Sequence, residues 1–177
     1  MGKERATMAK KSSDNLLPMI LVGVLLTAAV LLRPRWGGAV DQTAQPLPPL
    51  ATAAWLNSDG APKLDGKIVV MDAWFTTCPP CLQSLPKLAR LHEKYAGDSR
   101  VQFIGVTFEP EENLPQIQAV VDRIDGFTWP VAYAAQRQLD MLDIHMFPTL
   151  VVFDQSGTSV WRGHDLGGLE AQIDSML

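Results

Sequence analysis

IVVMDAWFTTCPPC, residues 68–81, is the stretch that decides the fold, because it leads from an apolar run into the only two cysteines of the chain. Cys78 and Cys81 are separated by two residues, at a point where the pattern predicts that a strand gives way to a helix. One sulfur would lie at the helix N-terminus, where unsatisfied amide donors and the positive end of the helix dipole favour thiolate. The other would lie one turn further on, within bonding distance. The arrangement indicates a pair that exchanges two electrons.

Two structural interpretations of the cysteine pair are weaker. A purely structural disulfide would close a very small loop and remove little entropy from the unfolded chain. Half of a zinc site would need further ligands, but the sequence has no second Cys-x-x-Cys motif, and its histidines are scattered at His92, His145 and His164. Redox chemistry is therefore the favoured interpretation.

The charge of the chain is unevenly distributed. Six Lys/Arg and two Asp/Glu precede Trp36, whereas nine Lys/Arg and seventeen Asp/Glu follow it, so the body of the chain carries a net charge of −8. Nucleic-acid binding needs clustered basic side chains against phosphates. An acidic body without basic patches argues against nucleic acid as a partner.

The N-terminal segment is predicted to cross a membrane. Residues 1–15 read as a basic cytoplasmic tail, residues 16–33 as a transmembrane signal anchor, and residues 34–49 as a linker rich in Pro and Gly. The uncharged core, 16–32, would span about 26 Å as a helix, at the short end of what a bilayer needs. A cleaved signal, processed near residues 37–39, is the alternative. In both cases the body of the protein leaves the cytoplasm, where disulfide chemistry is supported.

Residues 50–177 are predicted to form one α/β domain. Apolar runs predict strands at 67–73, 101–107, 130–133, 149–153 and 159–161, the last two joined by a DQSG turn. Helical periodicity predicts helices at 79–95, kinked at Pro86, at 113–124, capped by Asn113, at 136–142 and at 168–176. The apolar face of the first helix would consist of Leu82, Leu85, Leu88, Leu91 and Tyr95. This order indicates a central mixed sheet with helices on both faces.

Four separated features together carry a family resemblance. Val70–Trp74, Cys78–Cys81, Pro86 and Phe147-Pro148-Thr149 occur in the order that is typical of the thioredoxin fold. More narrowly, the chain resembles the membrane-anchored, TlpA/ResA-like thiol–disulfide oxidoreductases of bacteria, and Trp55-Leu56-Asn57 resembles the lead-in of that subgroup. The resemblance covers residues 50–177.

The resemblance implies roles for three residues around the cysteine pair. Cys78 would be the nucleophile and Cys81 the resolving thiol of a redox-active disulfide. Asp72, six residues before Cys78, falls where thioredoxin keeps a buried carboxylate that helps to move a proton to or from the inner thiol. Burial would raise the pKa of such a carboxyl, which suits proton transfer near neutrality. The alternative is that Asp72 faces solvent or caps a turn.

The resemblance also implies a substrate-binding loop. Pro148 matches the cis-proline that lies opposite the redox pair in this fold, with Phe147 and Thr149 beside it. Trp74, which is expected to pack under the active-site helix, is grouped with these three as a substrate-binding residue. Three departures from the family pattern bear on substrate choice: Thr77 stands in place of Trp, Ser84 in place of Glu, and Phe147 is bulkier than usual.

The expected function is dithiol–disulfide exchange without a cofactor or metal. By resemblance, the substrates would be disulfide-containing exported proteins, for example in cytochrome c maturation. The cysteine pair would act as a reductant, and a membrane thiol reductase would return it to the reduced state. The domain would then face the periplasm, or the extracytoplasmic side, of a bacterial inner membrane. Two other classes stay open at this point: a copper-binding chaperone of the same fold, using both thiols with His145 or His164, and a thiol peroxidase.

Overall fold

The computed structural model describes residues 44–51 and 53–177. Their strands are β1 (Ala54–Leu56), β2 (Ile68–Ala73), β3 (Val101–Val106), β4 (Val131–Tyr133), β5 (Thr149–Phe153) and β6 (Ser159–Gly163). Their helices are α1 (Pro79–Tyr95), a short 3₁₀ helix (Glu111–Asn113), α2 (Leu114–Arg123), α3 (Gln136–Met141) and α4 (Leu166–Asp174). Apart from β1 and the 3₁₀ helix, the alternation of strands and helices is the one that the sequence predicts.

The strands form one mixed sheet in the order β1-β4-β3-β2-β5-β6. β2 is parallel to β3, and β3 to β4, while β1, β5 and β6 pair antiparallel with their neighbours. β2 lies in the middle and is buried on both faces. Ile68 and Val70 face one apolar cluster, and Val69, Met71 and Ala73 face the other. The central strand therefore ends inside the protein, at the edge of the sheet where the cysteines follow.

Helix α1 buries a narrower face than the sequence predicts. Leu85, Leu88 and Tyr95 are buried, but Leu82 is 38% exposed, which corrects the expectation that it belongs to the apolar face. A spacing of three residues falls short of the 3.6-residue turn, so residues three apart drift by about 60° per step around the helix. Leu82, at one end of this series, has drifted onto the solvent side.

The starts of two further helices differ from the prediction. Asn113 ends the 3₁₀ helix, and its side chain makes no capping hydrogen bond, because its backbone is not in the extended conformation that capping requires. Helix α4 begins at Leu166 rather than at 168, and Asp165 caps it by accepting a hydrogen bond of 2.6 Å from the Gly168 amide. Strand β1, which the sequence reading did not predict as a strand, adds an antiparallel edge beside β4.

The end of the predicted linker packs against the domain. The Ala44 amide donates to the Ser159 carbonyl at 2.6 Å, the Leu47 amide donates to the Gly157 carbonyl at 2.8 Å, and Leu50 is buried. Residues 1–43, which include the predicted tail and anchor, lie outside the described residues. Within the described part of the chain, no helix combines the length and the apolar character needed to cross a membrane.

Candidate redox site

The two cysteines lie where strand β2 leads into helix α1, and they form a disulfide with Cα atoms 5.3 Å apart. Cys78 is the N-cap residue of α1, and the Cys81 amide donates a hydrogen bond to its Sγ atom at 3.2 Å. Pro79 and Pro80 occupy the first two helical positions and have no amide hydrogen. The Cys81 amide is therefore the first backbone donor of the helix, and it points at the sulfur that would be the nucleophile according to the family resemblance.

The pair is asymmetric in its distance from solvent. Cys81 is fully buried, and Cys78 is 2% exposed. The neighbours of Cys78 at 77, 79 and 80 are exposed. In the disulfide state the outer sulfur thus lies immediately beneath the surface, and the inner sulfur is shielded from any macromolecular partner. An incoming group can reach the pair only from the side of Cys78.

Asp72 is a buried carboxyl on the face of the sheet that carries the redox pair. It is 2% exposed, which excludes the alternative that it faces solvent. Val70 on β2 and Trp74 directly after it, each two residues from Asp72, pack in the same apolar cluster as Cys78 and Cys81. Among the described residues, no group hydrogen-bonds its Oδ2 atom. Burial raises the pKa of Asp72 from an ordinary value of 3.8 to about 7. The group can therefore take up or release a proton near neutral pH.

Trp74 and Thr149 support the site from below. Both are buried, so neither is exposed to a substrate in this state, although the sequence groups them with the substrate-binding residues. Trp74 packs over Gly105 of β3, where an added Cβ atom would lie only 3.0 Å from the indole Nε1. The Thr149 hydroxyl donates to the Met146 carbonyl at 2.7 Å. Their contribution is to shape the floor of the site and the loop before β5.

The loop before β5 contains the bond that the resemblance implies. The Phe147–Pro148 peptide bond is cis, and both residues are partly exposed. Nδ1 of His164 lies 2.6 Å from the Pro148 carbonyl oxygen, a hydrogen bond in which the ring nitrogen is the donor. His145, the other histidine considered for this site, is instead exposed and pairs with Asp143 at 2.9 Å.

Three phenylalanines from three different loops form an apolar rim at this end of the sheet. Phe75 follows β2, Phe108 follows β3 and Phe147 precedes β5, and their ring centroids are 5.3 to 5.7 Å apart. Each is partly exposed. Met146, next to the rim, is 66% exposed. Of the three, only Phe147 is predicted from the sequence to bind substrate, because nothing in the local pattern shows that the other two meet it.

Glu109 is a second buried carboxyl that sequence reasoning missed. Its Oε2 accepts from the Thr76 amide at 2.9 Å, and its Oε1 accepts from the Thr76 hydroxyl at 2.5 Å. The Thr107 hydroxyl also donates to Oε2 at 3.1 Å. These contacts join the loop after β3 to the loop that carries Cys78.

Comparisons with known proteins agree with this architecture. Residues 66–159 match a family described as thioredoxin-like. The chain is 29% identical to the thiol-disulfide oxidoreductase ResA of Halalkalibacterium halodurans over 65% of its length, and 28% identical to the thioredoxin-like protein YneN of Bacillus subtilis over 52%. It spans 63% and 53% of the lengths of these two relatives.

A solved structure gives the same result. A thiol-disulfide isomerase from Corynebacterium glutamicum superposes with a TM-score of 0.62 at 25% identity, and the match covers 75% of this chain and 96% of that one. The mixed sheet, the helix that begins at the cysteine pair and the loop with the cis peptide bond thus belong to a known architecture.

Proposed function

The chain belongs to the thioredoxin-like family, and from that premise we propose that it is a thiol–disulfide oxidoreductase that works through Cys78 and Cys81. One observation carries the proposal. Cys78 caps helix α1, and its sulfur both accepts the hydrogen bond of the Cys81 amide and bonds to the Cys81 sulfur. That position stabilises a thiolate at Cys78 when the pair is reduced and keeps a second sulfur ready to close the disulfide.

The proposed reaction transfers two electrons to a partner disulfide. The Cys78 thiolate attacks one sulfur of the partner, the partner S–S bond breaks, and the leaving sulfur departs as a thiolate that takes up a proton. The Cys81 thiol then loses its proton and attacks Cys78, which releases the second partner sulfur. The partner gains two electrons, and the Cys78–Cys81 pair loses two. A dithiol donor restores the reduced pair by the reverse exchange.

Asp72 is the proposed acceptor of the Cys81 proton. The inner thiol is fully buried and cannot hand its proton directly to solvent. Asp72, whose neighbours Val70 and Trp74 pack in the same apolar cluster as Cys81 and whose pKa burial raises to about 7, holds or accepts that proton at neutral pH. Asp72 would act on the second step, in which Cys81 attacks, and not on the first.

The biological setting is a proposal of the same kind. The segment 16–33, whose residues 16–32 carry no charge, would anchor the chain in a bacterial inner membrane, with the redox domain on the periplasmic or extracytoplasmic side. The substrates would be disulfide-containing exported proteins, including those of cytochrome c maturation, and a membrane thiol reductase would supply the electrons. The resemblance to ResA-like proteins supports this setting, as does the acidic body, which suits protein substrates better than nucleic acid.

The Cys81→Ser variant tests the proposed reaction. Without the resolving thiol, the mixed disulfide on Cys78 should accumulate, because nothing inside the protein can displace the partner. Reduced variant is mixed with glutathione disulfide, and mass spectrometry should find one glutathione on Cys78 that a reductant removes. The Cys78→Ser, Cys81→Ser double variant is the control and should remain unmodified. Absence of an adduct on the single variant would contradict the proposed reaction.

A further inference from the structure

The Glu109 carboxyl is buried although it forms no ion pair with any described Lys, Arg or His. Burial of a carboxylate is costly unless hydrogen bonds replace the lost water. Here three protein donors do so: the Thr76 amide, the Thr76 hydroxyl and the Thr107 hydroxyl. Thr107 also accepts from the Glu109 amide at 3.3 Å, which orients the carboxyl from its own side.

Two of the three donors belong to one residue, Thr76, which lies two positions before Cys78. Each carboxyl oxygen of Glu109 accepts one hydrogen bond from Thr76, so the backbone amide and the side-chain hydroxyl of Thr76 are both fixed by the same carboxyl. Thr76 lies inside the turn that the Cys78 amide closes on the Phe75 carbonyl at 3.2 Å. Fixing Thr76 therefore fixes the direction in which the backbone enters the N-cap of α1.

The direction in which the backbone enters helix α1 affects the Cys78 thiolate more in this chain than in a helix without prolines in its first turn. Pro79 and Pro80 leave the Cys81 amide as the first donor available to the Cys78 sulfur. With one donor in place of several, a small displacement of Cys78 removes most of the stabilisation of its thiolate. The stabilisation of the Cys78 thiolate therefore depends on a loop whose backbone position is fixed.

We infer that Glu109 is a positioning residue for the redox pair, which holds Thr76 so that the sulfur of Cys78 stays on the amide of Cys81. The inference rests on the proposed function, since it concerns the reactivity of the same thiol. Glu109 touches neither sulfur through a hydrogen bond and acts through Thr76. It occupies the loop after β3, far in sequence from the cysteines.

The test is the pH profile of Cys78 alkylation by iodoacetamide in the full chain. A Cys81→Ser background leaves Cys78 as the single thiol and retains the backbone amide at position 81. Glu109→Gln replaces one of the two oxygens that accept from Thr76 with an NH₂ donor. It should raise the midpoint of the profile by about half a pH unit, equal to about threefold less thiolate below the midpoint. Thr76→Val keeps the carboxyl and loses one donor, so it should raise the midpoint by a smaller amount.

Glu112→Gln is the matched control, because it removes an exposed carboxyl from the 3₁₀ helix that follows the Glu109 loop and should leave the midpoint unchanged. Further ionisable side chains on the elements that meet at the pair include Asp72 on β2, Lys87 and Arg90 on α1, and Arg162 and His164 on and after β6, and none of the variants changes them. If Glu109 acted only through its charge, Glu109→Gln would lower the midpoint and Thr76→Val would not move it. Either that pattern or an unchanged midpoint in both variants overturns the inference.

A loss of folding stability can be distinguished from a shift in the midpoint of the alkylation profile. A residue with a merely structural role would lower the melting temperature without moving the midpoint. If Glu109→Gln does not fold, Thr76→Val decides alone, and an unchanged midpoint in it overturns the inference. Failure of the proposed function would look different, since the Cys81→Ser protein would then form no glutathione adduct while the alkylation profiles could still be compared.

Discussion

The end of β2 and the end of β3 each bring a buried carboxyl to the same edge of the sheet, and the two carboxyls differ in their partners. Asp72, on β2, has an oxygen that no described group hydrogen-bonds, and its pKa rises to about 7. Glu109, just beyond β3, accepts three hydrogen bonds from Thr76 and Thr107. Burial is therefore common to both, and the donors decide what each can do. Asp72, with an unbonded oxygen and a raised pKa, can exchange its proton, whereas the hydrogen bonds of Glu109 hold a loop.

The largest expected difference between the two regions is a pH-dependent stability that comes from Asp72. Its pKa is raised on folding from 3.8 to about 7, so the folded protein keeps a proton that the unfolded chain releases. The stabilisation is complete below about pH 4 and is lost as the pH rises through about 7, by about 4 kcal/mol at most. Urea unfolding of the oxidised protein at pH 4.5, 6 and 8 measures this loss.

The matched variant for this prediction is Asp72→Asn. Its free energy of unfolding should lack the part of the pH dependence that titrates between pH 4 and 7. The difference in slope between variant and wild type is the quantity to compare, because it does not depend on how well Asn packs. Identical slopes would mean that Asp72 titrates in the folded protein as it does in water.

A second difference concerns the rate of the resolving step. In Asp72→Asn no carboxyl accepts the Cys81 proton, so breakdown of the mixed disulfide at pH 7 should slow by about 100-fold, the order expected for lost general base catalysis. Formation of the mixed disulfide by Cys78 should change little. Acid quenching at successive times, followed by mass spectrometry, separates the two steps. Equal slowing of both would assign Asp72 a role in attack by Cys78 as well.

A smaller effect is expected for stability at the end of β3. Glu109→Gln leaves at least one part-buried Thr76 donor without its acceptor, and an unsatisfied donor costs about 1–3 kcal/mol where it is shielded from water. We expect a loss of about 2 kcal/mol in the free energy of unfolding, whereas the exposed control Glu112→Gln should lose less than about 0.5 kcal/mol. A Glu109→Gln protein as stable as the control would show that its hydrogen bonds add nothing to the fold.

The contrast between the two carboxyls also shows which features of the site can be predicted from the sequence. Asp72 lies six residues before Cys78 in an apolar run, so its burial follows from the local pattern and its position from the family resemblance. Glu109 is 33 residues away from Thr76, and their contact depends on the pairing of β2 with β3. The same limit applies to the rim of Phe75, Phe108 and Phe147, which meet only in the folded chain.

Local patterns were sufficient for most of the helices and strands. The apolar run at 68–73 and the turn before β6 are encoded by adjacent residues, and the structure confirms both. The predictions that Leu82 is buried and that the Asn113 side chain caps a helix were wrong. Burial of Leu82 depends on how far a three-residue spacing drifts around the helix, and capping by Asn113 depends on its backbone angles. Strand β1 was not predicted, because it forms by pairing with β4, which lies far along the chain.

The reduction potential of the Cys78–Cys81 pair tests the central claim most directly. Oxidised protein is equilibrated in dithiothreitol buffers of defined potential, and the free thiols are counted after an acid quench. We predict a single two-electron transition between about −270 and −120 mV, the range of thioredoxin-like redox pairs. A disulfide that stays oxidised to below about −300 mV is typical of structural disulfides, and that result would contradict the claim that this pair carries electrons.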